Sequence, residues 1–485
     1  MQLTFKTILN LKEKHPHFVF GDIRLTEGGK PRIEVTVEPR QNSKGVCSGC
    51  GRPRPGYDRL RQREFIHVPI WGIAVILLYC MRRLNCPSCG VTVEAIPWSS
   101  GKSPVTSSYA WYLSEWAKLL SMQEVARQFK ISWHHVFSSV AMAVDWGRER
   151  MDLTGITAIG VDEIHWSTKQ GFMTLVYQID NHCKRLLWCG ENRTEKTIAA
   201  FFDWFGEECN AKLKFVCSDM WKPYLKLIAL RAGNALNILD RFHIAKKLGE
   251  AIDDVRTAET KELARKGKQV VLKNSRWCFL KNPKNLTDHQ KVKLKDLLQC
   301  NLKTIRAYLL KEDFQNFWDY TSPFWAGKFM DQWCTQAMRS QLEPMKKVAK
   351  TIRAHKQLIL NWFEAKNAIS LGAVEGQNNK AKVVIRKSYG FKTADMLKIT
   401  LYHKLGKLPV PNIAHEYFYR ADFISSSSVT LPVASPLIFS NAPIVRLSWR
   451  PIAKAGKTNP KIKARESANK NTDTRTTYQF STTHW

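Results

Sequence analysis

The chain has 485 residues, 44% of them hydrophobic, enough to build buried cores and to exclude global disorder. Lys and Arg total 75 against 42 Asp and Glu, a formal net charge of +33 spread along most of the length. Such an excess argues for a polyanionic partner, because counterion release from a phosphate backbone rewards a basic surface.

Met1–Asn10 lacks the basic start, apolar run and small-residue cleavage site of a signal peptide. The longest apolar stretch, Val68 to Met81, contains Pro69 and Gly72 and falls short of the roughly 20 residues of a membrane helix. No membrane partner is expected. The 12 cysteines are read in a reducing, cytoplasmic setting, as metal ligands or buried thiols before disulfides.

The predicted fold class is a multi-domain α/β chain with four regions. Residues 1–97 form a zinc-ribbon-like domain of strands and paired cysteines. Residues 98–150 form a helix-turn-helix region. Residues 151–408 form a ribonuclease-H-like domain with a helical insertion at about 253–363. Residues 409–485, with Ser425-Ser-Ser-Ser428 and little periodicity, form a flexible basic tail.

In the first region, Arg32 to Glu38 alternates polar and apolar residues as a half-buried strand does. Cys47-Ser-Gly-Cys50-Gly51 and Cys86-Pro-Ser-Cys89-Gly90 are matched knuckles. Two thiolates two positions apart grip one ion from a tight turn, and four such sulfurs complete a structural Zn²⁺ site. The interval between the knuckles must hold a hairpin, for which Val68 to Met81 can supply strands. His67 and Cys80 are read as structural.

The second region places a helix at Met122 to Lys130, a turn at Ile131-Ser132 and a second helix at Trp133 to Arg150. Val125, Ala126 and Val136 face inward, so a short helix braces a longer one for the major groove. Ser132, Trp133, His134, His135 and Ser138 are the groove-facing candidates. Lys130 holds the turn position where Gly is common. An ordinary helical hairpin is the competing reading.

The third region reads as strands at 156–161, 172–179 and 185–189, a helix at 194–208, a strand at 213–217, a helix at 223–232 and a strand at 235–239. This β-β-β-α-β-α-β order is that of a ribonuclease-H-like sheet. Asp162 and Asp219 follow the first and fourth strands, which are neighbours in such a sheet, so their carboxylates face each other. Glu163 is read as a solvated neighbour. Glu375 is the third acid, with Lys382 and Arg386 on its helix face, beside which a phosphodiester can lie. Hard oxygen ligands of this kind suit Mg²⁺ or Mn²⁺.

The sequence resembles the ISL-three family of insertion-sequence transposases over about residues 1–408. The resemblance rests on the knuckles, Asp58-Arg-Leu-Arg-Gln-Arg-Glu-Phe65, Gly160-Val-Asp-Glu163 and Ser218-Asp-Met-Trp221. It rests also on Asp240-Arg-Phe-His-Ile-Ala-Lys246, Arg276-Trp277, Lys281-Asn-Pro-Lys-Asn-Leu-Thr287 and Glu375-Gly-Gln-Asn-Asn-Lys-Ala-Lys382. It implies a DDE core with Asp162, Asp219 and Glu375 as catalytic metal ligands, and no stated role for Asp240 or His243. It implies double-stranded DNA, as transposon ends and target, as the partner of a homo-oligomer at the bacterial nucleoid. Trp277, Trp318, Trp325 and Trp333 in the insertion suit either base stacking or a helical core. A DNA-binding regulator without catalysis and a nuclease without strand transfer are the rival readings.

Overall fold

The computed structural model describes residues 4–26, 29–167, 171–269, 271–365, 369 and 372–412. The tail expected from residue 409 therefore lies, beyond Asn412, outside the described residues.

The chain is mixed α/β around a five-stranded sheet. Its strands are β1 (Ala158–Ser167), β2 (Gly171–Gln178), β3 (Arg185–Glu191), β4 (Phe215–Ser218) and β5 (Leu236–Leu239), in the order β3-β2-β1-β4-β5. β1, β2 and β3 are antiparallel neighbours, whereas β4 runs parallel to β1 and β5 parallel to β4. The central strands carry near-continuous apolar runs because both faces are covered. On one face the helices Glu195–Phe205 and Lys222–Arg231 pack Ile198, Phe201, Phe202 and Ile228 against Ile159, Val161 and Val176. On the other, helices Ala373–Lys387 and Ala394–Leu405 bring Val374, Ala381 and Leu401 to the side of the sheet that holds Ala158, Leu175 and Tyr177.

β1 is longer than the sequence suggests. It was expected to end at Val161, but pairing with β2 continues from Ile159↔Gln178 out to Ser167↔Gly171, so Asp162 sits mid-strand. What does end is the parallel pairing with β4, whose last partners are Gly160 and Cys217.

The helical insertion also starts earlier. Asp240 caps a helix that runs Arg241–Arg265 directly from β5, so the expected boundary at Asp253 falls inside it. Further helices span Arg276–Leu280, Asp288–Leu298, Lys303–Gln315, Pro323–Arg339, Glu343–Ala354 and Lys356–Ala365. Trp318 and Trp333 belong to their common core with Phe314, Phe317 and Phe363, and Trp333 donates to the Leu310 carbonyl. Trp277 and Trp325 are exposed, under Arg276 and Lys328 respectively.

At the front, strands Phe18–Thr26, Arg32–Pro39, Ile73–Tyr79 and Arg63–Ile70 form one sheet in that order. It closes over Phe18, Val35, Phe65, Leu77 and Trp98. The hairpin expected between the knuckles is formed by Arg63–Ile70 paired antiparallel with Ile73–Tyr79, and it joins this sheet because Ile73–Tyr79 also pairs in parallel with Arg32–Pro39. The second knuckle joins two strands of a three-stranded sheet of Gly56–Arg59, Arg82–Cys86 and Gly90–Val93, and the first lies between the paired strands Gly45–Val46 and Pro53–Arg54. Helices Ser107–Leu119, Met122–Gln128 and Trp133–Glu149 follow. Among the described residues no helix is long and apolar enough to cross a membrane.

Candidate active site

Parallel strands leave a crevice beyond their carboxyl ends, and acidic side chains collect there. Asp162 lies just past the last β1–β4 pair, Asp219 follows β4, and Asp240 follows β5. Side chains alternate along β1, so Asp162 points with Ala158 and Gly160 toward helix Ala373–Lys387, and Glu163 points to the opposite face. Gly160 is required for that helix to dock. A Cβ there would lie 2.3 Å from Val374 Cγ2, the residue before Glu375. The same helix is pinned by Asn378, whose amide donates to Asp162 Oδ2 and whose Oδ1 accepts from the Tyr177 hydroxyl at 2.7 Å. Glu375, half-buried in its first turn, lies near enough for its charge to act on Asp240.

Each acid is also held locally. The backbone N–H of Glu163 donates to Asp162 Oδ1 at 2.8 Å, that of Trp221 to Asp219 Oδ1 at 2.8 Å, and that of Phe242 to Asp240 Oδ1 at 2.9 Å. Arg193 bridges Asp219 and Glu163, the latter with Nε–Oε1 at 3.1 Å, and its guanidinium stacks 4.9 Å from the Trp221 ring. Burial pushes the Asp162 and Asp240 carboxyls up to about 6, with neighbouring acid charges adding to the effect. Burial, with the Asp219 charge behind it, pushes Glu163 up to about 7. Glu163 is therefore not the solvated neighbour expected. Its position on the covered face places it against Arg193 and Tyr224 instead.

Among the described residues, one set of three carboxylate and imidazole groups places ligand atoms within 4.8 Å of one another, that of Asp162, Asp240 and His243. Asp219 and Glu375 border this set without closing to that distance. Asp240 was legible by the rule that picked out Asp219, a carboxylate at the end of an apolar strand. Arg193 and Asn378 carry no such local signal.

A family model described as a transposase, of the DDE ISL3 type, matches residues 159–401, the segment that holds all of these groups. The chain belongs to the ISL-three family of transposases. The chain is 29% identical over 350 residues to the transposase for insertion sequence element IS1001 of Bordetella parapertussis, an alignment covering 72% of this chain and 85% of that one. It is 27% identical over 424 residues to the transposase for insertion sequence element IS1557 of Mycobacterium tuberculosis, covering 81% and 93%. Both alignments are longer than the segment 159–401 that the family model matches.

In the front end of the transposase, the Sγ atoms of Cys47, Cys50, Cys86 and Cys89 lie within 4.8 Å of one another, with Cys50 and Cys86 3.7 Å apart. Four sulfurs about 2.3 Å from one zinc are separated by about 3.8 Å, so the set is compatible with tetrahedral zinc. Gly51 and Gly90 follow each knuckle at φ of +68° and +74°, a left-handed backbone that a side chain would strain. The Thr92 hydroxyl, with the N–H groups of Cys50 and Gly49, lowers the Cys47 thiol to about 6, which favours the thiolate a metal needs.

In the helical region, Ser121 and Glu124 form a capping box, Lys130 turns the chain at φ of +52°, and Ser132 caps the second helix at His135 N–H, 3.3 Å away. Ser132, His134 and Ser138 are exposed. Trp133 and His135 are half-buried, with Trp133 stacked on Phe137 at 5.2 Å. Lys382 and Arg386 are exposed on the helix that carries Glu375.

Proposed function

We propose that this transposase binds the terminal inverted repeats of an insertion sequence and catalyses Mg²⁺- or Mn²⁺-dependent strand cleavage and transfer in a ribonuclease-H-like domain. The observation that carries the reading is the docking of the Glu375 helix on β1 through Asn378 and Asp162, at the mouth where β4 delivers Asp219. Asp162, Asp219 and Glu375 supply hard oxygen ligands. Bound Mg²⁺ would activate the attacking water or 3′-hydroxyl and neutralise the leaving oxygen. Asn378 fixes the rotamer of Asp162. Arg193 holds Asp219 and offers a cation beside it. Cys47, Cys50, Cys86 and Cys89 hold structural Zn²⁺, and Ser132, Trp133, His134, His135 and Ser138 present the second helix to the major groove, Trp133 chiefly by bracing Phe137. A homo-oligomer on paired DNA ends fits joining of two strands to one target. The test is a Mg²⁺-dependent assay on a duplex carrying the element's end: nicking supports an enzyme rather than a regulator, and joined products on a target plasmid separate a transposase from a nuclease.

Two further results are expected. Lys382 lies on the exposed face that continues from Glu375, so Lys382→Ala should slow cleavage and reduce the slope of log affinity against log salt by about 0.9, the contribution of one phosphate contact. An unchanged rate and slope would reduce Lys382 to a solvated surface lysine. Metal binding should also compete with protons. The Asp162 carboxyl, raised to about 6 by burial, must ionise to ligate. Divalent-ion affinity should therefore climb as pH rises through 6 and flatten above about 7. A flat affinity across that interval, by calorimetric titration, would show Asp162 ionised throughout.

A further inference from the structure

We infer that Asp240 and His243 bind a divalent ion together with Asp162, so that the ligand set extends to the end of β5 and includes an imidazole. The inference rests on the catalytic reading of Asp162 and adds two residues to which that reading gives no role.

Asp240 leaves β5 as Asp219 leaves β4, and its backbone N–H donates to the Ser218 carbonyl at 3.0 Å, which locks the two strand ends together. His243 lies three residues on, one turn into helix Arg241–Arg265, so it shares a face with Asp240. Its Nε2 is 3.8 Å from Asp162 Oδ1 and 4.0 Å from Asp240 Oδ2. Both are too long for hydrogen bonds. They suit donors arranged around one ion: at about 2.1 Å from a common octahedral centre, two ligands stand about 3.0 to 4.2 Å apart. Asp162 Oδ1 accepts one hydrogen bond, from the Glu163 N–H, which leaves a lone pair for an ion, and the oxygens on the far side of both carboxylates are held. Asn378 takes Asp162 Oδ2 and the Phe242 N–H takes Asp240 Oδ1. Such outer hydrogen bonds are what orient metal ligands. The two carboxylates are 15% and 9% exposed, and Arg193 is already committed to Asp219 and Glu163. A dication between them supplies the charge that burial otherwise leaves uncompensated. An imidazole in the set favours Mn²⁺ over Mg²⁺.

The test uses Mn²⁺ alone with the full-length, zinc-replete protein carrying no histidine tag and no DNA. Bound Mn²⁺ should show electron-spin-echo modulation from one directly bound ¹⁴N, lost in His243→Gln. Asp240→Asn, which still caps the helix, should weaken Mn²⁺ binding about tenfold or more, while thermal midpoint and zinc content stay as in the parent. No ¹⁴N coupling, a coupling that survives His243→Gln, or parental Mn²⁺ affinity in Asp240→Asn would each overturn the inference. The catalytic reading fails on a different result, nicking that persists in Asp219→Asn and Glu375→Gln.

Discussion

Asp162→Asn, Asp219→Asn and Glu375→Gln should each abolish nicking and joining, by about a thousandfold or more, while binding to transposon ends survives. Charge stabilisation of the transition state by a held metal is worth several kcal/mol, and each 1.36 kcal/mol is tenfold in rate. The three substitutions keep shape and remove one charge, so folding should be spared. Asp162→Asn carries one added risk, because Asn378 now meets an amide in place of a carboxylate. A thermal melt of that variant separates lost packing from lost chemistry. End binding depends on the front end and the basic surface, and removing a negative charge near the phosphodiester can only reduce repulsion. The paired measurement is gel-shift affinity and Mg²⁺-dependent cleavage on each variant. Near-parental cleavage in one of them removes that residue from the triad, and near-parental cleavage in all three overturns the mechanism.

The second large effect concerns the knuckles. Purified protein should hold one zinc per chain, and Cys86→Ser should lose it and unfold the two stretches that the knuckles organise, Gly45 to Arg59 and Arg82 to Val93. These stretches have almost no core of their own: Cys47, Leu84 and Cys86 form their buried cluster, with Cys50 against it. Structural zinc in small peptides contributes about 10–16 kcal/mol near pH 7, as much as the whole stability of an ordinary domain at about 5–15 kcal/mol. The neighbouring four-stranded sheet, with Arg63–Ile70 and Ile73–Tyr79 in it, has its own core of Phe18, Val35, Phe65, Leu77 and Trp98 and should persist. Hydrogen exchange would locate the loss. Stoichiometric zinc retained by Cys86→Ser, or zinc-free parental protein purified under reducing conditions, would sink this prediction.

The sequence was most legible where the signal is local. Apolar runs with turn residues between them gave the order of β1 to β5, and the cysteine spacing gave the knuckles, since both are written within a few residues. Strand ends and partners are written elsewhere in the chain. The hairpin between the knuckles is there, but nothing in Ile73–Tyr79 says that it also pairs with Arg32–Pro39. Nothing after Val161 says that β2 will follow β1 to Ser167. Arg193 meets Asp219 across 26 positions and Asn378 meets Asp162 across 216, distances at which no periodicity operates. The tryptophans of the insertion share one composition signal, yet Trp333 is core and Trp277 is surface, because helix packing rather than residue type decides. Asp240 was the avoidable omission, since it follows a predicted strand as plainly as Asp219 does.

The bond between Asn378 and Asp162 also sets a schedule for synthesis. A ribosome adds about 5–20 residues per second, so roughly 10–40 s separate the emergence of Asp162 from that of Asn378, 216 positions later. Once Leu239 has emerged, for the later part of that interval, the growing chain carries the knuckles, the helical region and all five strands of the sheet. It lacks the helix that covers β1 and carries Glu375. On the proposed function, a chain terminated before Glu375 would bind DNA without being able to cut it.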